Sequence, residues 1–353
     1  MVQTPNKQLV LLKQLPEGYP VVGEHIDVRE STIDLEAPLQ EGQALIKVHV
    51  ISIDPFLRSS MRGNSRDEHI PPVDVDQPMY GYTLSTVIKS NIDKFQQDDI
   101  VVGITNLEEY TTISSSDPFF SVTRVRNDIK NSVLPLSYYV GVLGMPGHTA
   151  YAGLFEVGKP KKGETLFVSA AAGAVGQIVG QLGKILGLRV LGSAGSDEKI
   201  AYLKEIGFDA VFNYKTTSNI SEKLTELAPK GIDVYFDNVG GETLEAVLEN
   251  ANRFARIVAC GMISTYYSEK DIGVRNLMKI VPKHITLEGF AVFDYMHLED
   301  QFTNEVTQWL KEEKMKYRES TTNGIDGAAQ ALVDAMHGKN NGKQIVHVSS
   351  PSF

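Results

Sequence analysis

A single cysteine, Cys260, occurs in 353 residues, so the chain can form no internal disulfide and no cysteine-rich metal cluster. Histidine offers little more. The eight are scattered singly, at His25, His49, His69, His148, His284, His297, His337 and His347, without an H-x-x-H or H-E-x-x-H pair, whereas a catalytic zinc takes about three protein ligands. No metal site is expected. The G-x-S-x-G elbow of serine hydrolases is also missing. No basic run offsets the net charge of −10, which argues against nucleic acid as a partner, because neutralising its phosphates requires clustered Lys and Arg. No apolar run is long enough to cross a bilayer, and the opening MVQTPNKQLV lacks the apolar core of a secretory signal. The expectation is a cytoplasmic protein without a membrane partner, long enough for two domains with sizeable cores.

What is present centres on residues 164–199, ETLFVSAAAGAVGQIVGQLGKILGLRVLGSAGSDEK. A short apolar run stops at a cluster of small residues. Val175, Ile178, Val179, Leu182, Ile185 and Leu186 then recur at helical spacing, and a second apolar run follows from residue 189. This is strand, turn, helix and strand, the opening of a doubly wound sheet. Ala171, Gly173 and Gly176 fill the three positions of a G-x-G-x-x-G pattern, with alanine at the first. Small residues there let the backbone approach a pyrophosphate whose charge rests on N–H groups at the helix N-terminus. The plainer reading, tight packing of helix on strand, is weakened by the strands on both sides.

A chain selecting NAD places Asp or Glu about 20 residues beyond the first glycine, on the ribose 2′-hydroxyl. Here that place reads Gly192-Ser-Ala-Gly-Ser196, with Lys199 just beyond. No carboxylate repels a 2′-phosphate, and Lys199 can meet one as a point charge. Asp197 reads as a first-turn residue facing the next helix's dipole. NADPH is the expected cofactor.

Before this stretch, residues 1–137 carry short alternating runs (44–53, 79–90, 99–104) broken by Pro, Asp and Asn, and read as a mostly antiparallel, barrel-like β domain. Residues 139–158, rich in glycine, read as a link. After it, helices and strands alternate, with strands at 210–212, 232–236, 256–259 and 285–289, which means a parallel sheet with helices on both faces. A final helix and strand, 327–336 and 344–348, are expected to rejoin the first domain. Ligands bind beyond the carboxyl ends of such strands. Three of these ends are polar or glycine-rich: residues 237–241, 260–267 and 289–292. Asn238 there reads equally as a turn residue, and Cys260 as a small buried hydrophobe with no neighbouring histidine to make it a nucleophile.

The motifs together resemble the zinc-free branch of the medium-chain dehydrogenase/reductase superfamily, the prostaglandin reductases, leukotriene hydroxydehydrogenases and alkenal double-bond reductases. The residues that carry the likeness are ISIDPFLR (51–58), GMPGHTAY (144–151), AAGAVG (171–176), GSAGSDEK (192–199), NYK (213–215), NVGG (238–241) and CGMISTY (260–266). Where zinc-dependent relatives carry Gly-His-Glu, this chain has Met79-Tyr-Gly-Tyr-Thr83.

The resemblance implies an α/β fold, with a Rossmann doubly wound parallel sheet over residues 138–312 and a mostly β, GroES-like domain from 1–137 and 313–353. It implies that Gly173, Ala174, Val175, Gly176 and Gln177 meet the pyrophosphate, and that Lys199 and Tyr214 hold the 2′-phosphate. Asn238, the loop Cys260, Gly261, Met262, Ile263, Ser264 and Thr265, then Phe290, Ala291, Val292 and Asn340, would line the rest of the cofactor. The reaction implied is NADPH-dependent reduction of the C=C bond of α,β-unsaturated aldehydes or ketones by a homodimer. Without a metal, the enolate oxygen needs a hydrogen-bond donor. Candidates are the Tyr266 hydroxyl, a cofactor ribose hydroxyl or a backbone N–H. Tyr266 reads equally as packing on the nicotinamide, and Tyr267 is its rival. Phe56 replaces the family's tyrosine after Asp-Pro, leaving a substrate-binding hydroxyl out. Loops 61–72, 266–274 and 294–298 would shape the pocket for the substrate's tail. The alternatives are a quinone reductase of the same superfamily and a non-catalytic NADPH-binding protein.

Overall fold

The computed structural model describes residues 3–63, 70–268 and 273–351. Of the loops expected to shape the substrate pocket, residues 64–69 and 269–272 lie outside the described residues. The chain divides into two units, Met1–Gly141 with Glu319–Phe353, and Val142–Arg318; the sequence reading set the boundaries at 137/138 and 312/313.

In order, the elements are β1 (Gln3–Leu11), β2 (Ile26–Asp34), β3 (Gln43–Ser52), α1 (Leu57–Ser60), β4 (Tyr80–Ser90), β5 (Ile100–Asn106), β6 (Tyr110–Ser114) and β7 (Arg124–Val125). The second unit holds α2 (Met145–Ala152), β8 (Thr165–Val168), α3 (Gly176–Ile185), β9 (Arg189–Ala194), α4 (Asp197–Glu205), β10 (Ala210–Asn213), α5 (Ile220–Leu227) and β11 (Ile232–Asp237). It continues with α6 (Gly241–Asn250), β12 (Ala251–Ala259), α7 (Ile280–Lys283), β13 (Thr286–Gly289) and α8 (Glu299–Lys311). Then follow β14 (Glu319–Asn323), α9 (Ala328–Met336) and β15 (Lys343–His347).

The first unit is mostly strand. Its larger sheet runs β14-β15-β3-β4-β5-β7, with β6 also on β3. All its pairings are antiparallel except β14 with β15. The tail does rejoin it: Val346 of β15 stands opposite Ile51 of β3. Ala44, Ile46, Val87, Val101 and Ile113 share a buried cluster. The sequence reading passed over β1 and β2, which pair antiparallel from Gln3 with Asp34 to Leu11 with Ile26. Pro5 and the polar run RESTID hid them, as both are tolerated where one strand edge or face is left to solvent.

The second unit is a six-stranded parallel sheet in the order β10-β9-β8-β11-β12-β13. Parallel strands covered on both faces lose alternation, and all four residues of β8 are buried. Phe167 stacks on Tyr235 and Phe212 at centroid distances of 5.2 and 6.0 Å; burying each such ring contributes roughly 1.5–3 kcal/mol. One expectation is met only in part. Residues 139–158 do carry the boundary between the units, after Gly141, but from Met145 they are helical, as α2 and a π-helical continuation, Gly153–Gly158, rather than an open linker. Their small residues serve close approach, for a Cβ on Gly153 would lie 2.5 Å from the Phe290 ring and 2.9 Å from that of Phe236. Strand order reverses between β8 and β11, so the crevice of an open sheet opens at their carboxyl ends. No helix among the described residues is long and apolar enough to cross a membrane.

Candidate active site

The turn that leaves β8 is tightly wound. Ala170 takes a left-handed φ of 46°, which costs a residue with a Cβ roughly 1–2 kcal/mol. The turn is held by Gly173 N–H donating to Ala170 O (2.9 Å) and Ala171 N–H to Ser193 O (2.9 Å). A Cβ on Gly176 would sit 2.5 Å from Ala170 O, so the last glycine of the pattern serves contact between α3 and the turn. Among the described residues, the amides of Ala174, Val175 and Gly176 enter none of the turn's backbone bonds, as expected of a helix's first N–H groups. Gly173, Ala174 and Val175 are half-buried, leaving them an open side. This is a cradle for an anion.

Gln177 turns inward. Its side chain is fully buried and spent inside the unit: Nε2 donates to Arg318 O (3.1 Å), while Oε1 accepts Arg318 N–H (2.9 Å) and the Tyr202 hydroxyl (2.5 Å). Gln181, one turn on, grips Lys316 in the same way, at 2.8 and 2.7 Å. Buried amides must be paired on both sides, and here the partners are backbone groups of Arg318 and Lys316 together with the Tyr202 hydroxyl. The Gln177 side chain is thus committed to Arg318 and Tyr202.

At the end of β9, Ser196 caps α4 by accepting Lys199 N–H at 3.3 Å. Asp197 sits in the first turn and accepts Asn213 Nδ2 at 3.1 Å. A Cβ on Gly195 would meet Tyr214 Oη at 2.9 Å and Lys215 Cε at 3.1 Å. Burial, and next the nearby Lys215 ammonium, lower the Lys199 pKa below the usual lysine value. Two cations and a phenol thus gather around one strand end, the chemistry a phosphate monoester needs. The signal in the sequence for Lys215 is its place directly after Tyr214.

The ends of β11 and β12 are tied together. Asn238 donates its backbone N–H to Ser169 Oγ (3.0 Å) and its side-chain Nδ2 to Ser169 O (2.8 Å), which turns Oδ1 into the acceptor available to a ligand. Asn238 is therefore both turn residue and ligand candidate. Cys260 and Gly261 both donate N–H to Asp237 O at 3.0 Å. Burial, then the Asp237 carboxylate, push the Cys260 thiol up to about 12, so it stays protonated at neutral pH. Met262 packs on Gly240, whose added Cβ would be 2.9 Å from Met262 Cγ. Ile263, Ser264 and Thr265 form a 3₁₀ turn closed by Ser264 Oγ donating to Val239 O (2.5 Å) and Thr265 Oγ1 to Met262 O (2.8 Å). Tyr266 folds back over it, its Oη 2.9 Å from where a Cβ on Gly261 would stand. Tyr267 is half-buried beside it.

After β13, Phe290 packs at right angles to Phe236 and Tyr295 (centroids 6.4 and 6.0 Å), Ala291 is half-buried and Val292 buried. The second unit thus brings together every predicted cofactor residue except Asn340. Asn340 and Phe56 belong to the first unit. Asn340 donates Nδ2 to Gly342 O (2.6 Å) in the turn before β15, and Phe56 is half-buried at the start of α1. Among the described residues, no three His, Cys, Asp or Glu side chains group so as to hold a metal.

Residues 174–312 match the family described as zinc-binding dehydrogenase, and residues 7–122 the N-terminal domain of oxidoreductase. The chain is 44% identical over 348 residues to the NADP(+)-dependent 2-alkenal reductase of Nicotiana tabacum, covering 98% of both. It is 43% identical over 350 residues to the (+)-pulegone reductase of Mentha piperita, again covering 98% of both. Among solved structures, CurA from Vibrio vulnificus in complex with NADPH superposes with a TM-score of 0.86 at 35% identity, over 98% of this chain and 100% of that one.

Proposed function

The chain belongs to the medium-chain dehydrogenase/reductase family, in its zinc-independent branch of alkenal and enone reductases, and on that premise we infer that it reduces the C=C bond of α,β-unsaturated aldehydes or ketones with NADPH. The observation that carries this is identity of 44% to an NADP(+)-dependent 2-alkenal reductase across nearly the whole of both chains. The residues fit the cofactor. The amides of Ala174, Val175 and Gly176 would hold the pyrophosphate; Lys199, Tyr214 and Lys215 the 2′-phosphate; Asn238 Oδ1 a ribose hydroxyl. The loop 260–265 and residues 290–292 would line the remainder.

Bound there, NADPH supplies a hydride for the substrate's β-carbon. The chain must then stabilise charge on the carbonyl oxygen and deliver a proton to the α-carbon. We assign the first task to the Tyr266 hydroxyl, a preorganised donor of the kind that acts where charge develops. The protonated Cys260 thiol takes no nucleophilic part.

We propose further that the molecule works as a cytoplasmic homodimer joined along β13. All four residues of this edge strand are exposed, and Leu287, Phe254, Leu277, Met278 and Val281 around it are exposed hydrophobics. An uncovered edge beside an apolar patch suits pairing with a second copy.

The test is a substrate panel with NADPH and NADH in parallel: a simple enone, a 2-alkenal and a quinone. The expected result is oxidation of NADPH by the enone or alkenal and recovery of a saturated carbonyl. Turnover of the quinone alone would overturn the assignment.

A further inference from the structure

Asp237 ends β11 with a side chain that is fully buried and carries more bonds than a turn needs. Its Oδ1 accepts the Tyr235 hydroxyl at 2.7 Å, Val239 N–H at 2.9 Å and Gly240 N–H at 2.8 Å. Tyr235 Oη also lies 3.0 Å from Ser169 Oγ. Ser169 Oγ in turn donates to the same Oδ1 at 3.5 Å and accepts Asn238 N–H at 3.0 Å. The main-chain carbonyl of the same aspartate accepts Cys260 and Gly261. Oδ2, buried, has no hydrogen-bond partner among the described residues.

Three loops therefore meet at one residue: the turn after β8 through Ser169, the turn after β11 through Val239 and Gly240, and the loop after β12 through Cys260 and Gly261. These are the three loops assigned above to the pyrophosphate, a ribose hydroxyl and the remainder of the cofactor. We propose that Asp237 is the positioning residue of the NADPH site, its ionised carboxylate setting the three loops in the register the cofactor requires. The inference rests on the NADPH reading and not on the identity of the enone.

The groups facing Asp237 are the Tyr235 hydroxyl on its own strand, the Ser169 hydroxyl from the turn after β8 and the Cys260 thiol from the loop after β12. None is a cation. Burial accordingly raises the carboxyl above its usual value, against the hydrogen bonds that lower it. A carboxylate with a raised folded pKa is less costly to the fold when protonated, so its penalty on stability grows as pH rises through that pKa. Replacing it by a neutral isostere removes the penalty. Cofactor binding runs the other way, because it needs the ionised acceptor.

The test is Asp237→Asn, measured by direct NADPH titration through cofactor fluorescence, by melting temperature, and by amide hydrogen exchange of the apo-protein. The expected outcome at pH 7–8 is a melting temperature no lower than wild type together with NADPH affinity weakened about tenfold, the loss of a charge-assisted bond. Exchange at residues 238–241 and 260–262 should be faster. Wild-type affinity should fall as the solution is acidified, while that of the variant stays level. Affinity within about twofold of wild type at neutral pH, with a flat wild-type pH profile, would overturn the proposal. Should Asp237→Asn not fold, Tyr235→Phe removes the phenol from the same network: weaker NADPH binding and faster exchange at 238–241 are expected, and unchanged values of both would overturn it. None of these readouts depends on enone turnover.

Discussion

Lys199 and Lys215 are where cofactor choice is decided. Tyr214 and Lys215 lie against Gly195 just after β9, and the Lys215 ammonium is close enough to Lys199 to lower its pKa. Lys199→Ala should weaken NADPH binding by about tenfold or more and NADH binding by less than about twofold, since only NADPH carries the 2′-phosphate; a charge-assisted bond of that kind is worth about 1.5–3 kcal/mol. Titration of both cofactors by fluorescence checks this, and equal losses would remove Lys199 from the site. Tyr266→Phe should lower turnover by about tenfold or more while leaving NADPH affinity nearly unchanged, read from steady-state kinetics at saturating cofactor. Wild-type turnover would return the role to a ribose hydroxyl or a backbone N–H. At this scale the sequence was informative where chemistry depends on residue type, as at Lys199 and Asn238. It was silent where chemistry depends on direction. Nothing in Gln177's position after Gly176 says that its amide turns inward onto Arg318, and nothing in Asp237's says that one carboxylate oxygen collects the hydroxyls of Tyr235 and Ser169 and the amides of Val239 and Gly240.

Among elements, the junction of β8 and α3 is the most constrained. Gly176→Ala places a methyl 2.5 Å from Ala170 O, a backbone atom that cannot swing aside. We expect a loss of about 1–3 kcal/mol in stability, measured by denaturant unfolding, with a large drop in NADPH affinity as α3 is pushed from the turn. Gln177→Met is the contrasting case. It leaves Arg318 N–H and O without partners, so stability should fall by about 1–3 kcal/mol, while NADPH affinity changes little; a loss of affinity matching that of Gly176→Ala would restore Gln177 to the pyrophosphate. Elements with a strong period were legible. The helices Ile220–Leu227 and Gly241–Asn250 fall between the strands read from spacing. The glycine-rich helix α2 was not, because Gly147 and Gly153 serve close contacts with Val142 O and with Phe236 and Phe290, and long-range contact leaves no local period.

For the molecule as a whole, a net charge of −10 surrounds a binding site whose phosphate end is cationic. NADPH affinity should therefore fall with rising salt more steeply than NADH affinity, as screened charges account for the difference. If β13 joins two copies, Leu287→Lys should yield monomers in analytical ultracentrifugation, because a lysine blunts an edge strand; a persistent dimer would move the interface elsewhere. Fold class could be read in advance from the alternation of strands and helices after residue 164. The return of β15 to pair with β3 followed from a single apolar run, whereas β1, β2 and β14 are polar enough to pass for loops.

The central claim is that hydride reaches the β-carbon of a conjugated carbonyl. Reduction of a simple enone with NADPH carrying deuterium at the transferable position, followed by NMR of the product, tests it most directly. The account predicts a saturated ketone with deuterium on the β-carbon and a solvent proton on the α-carbon. An allylic alcohol with deuterium on the carbonyl carbon would contradict it.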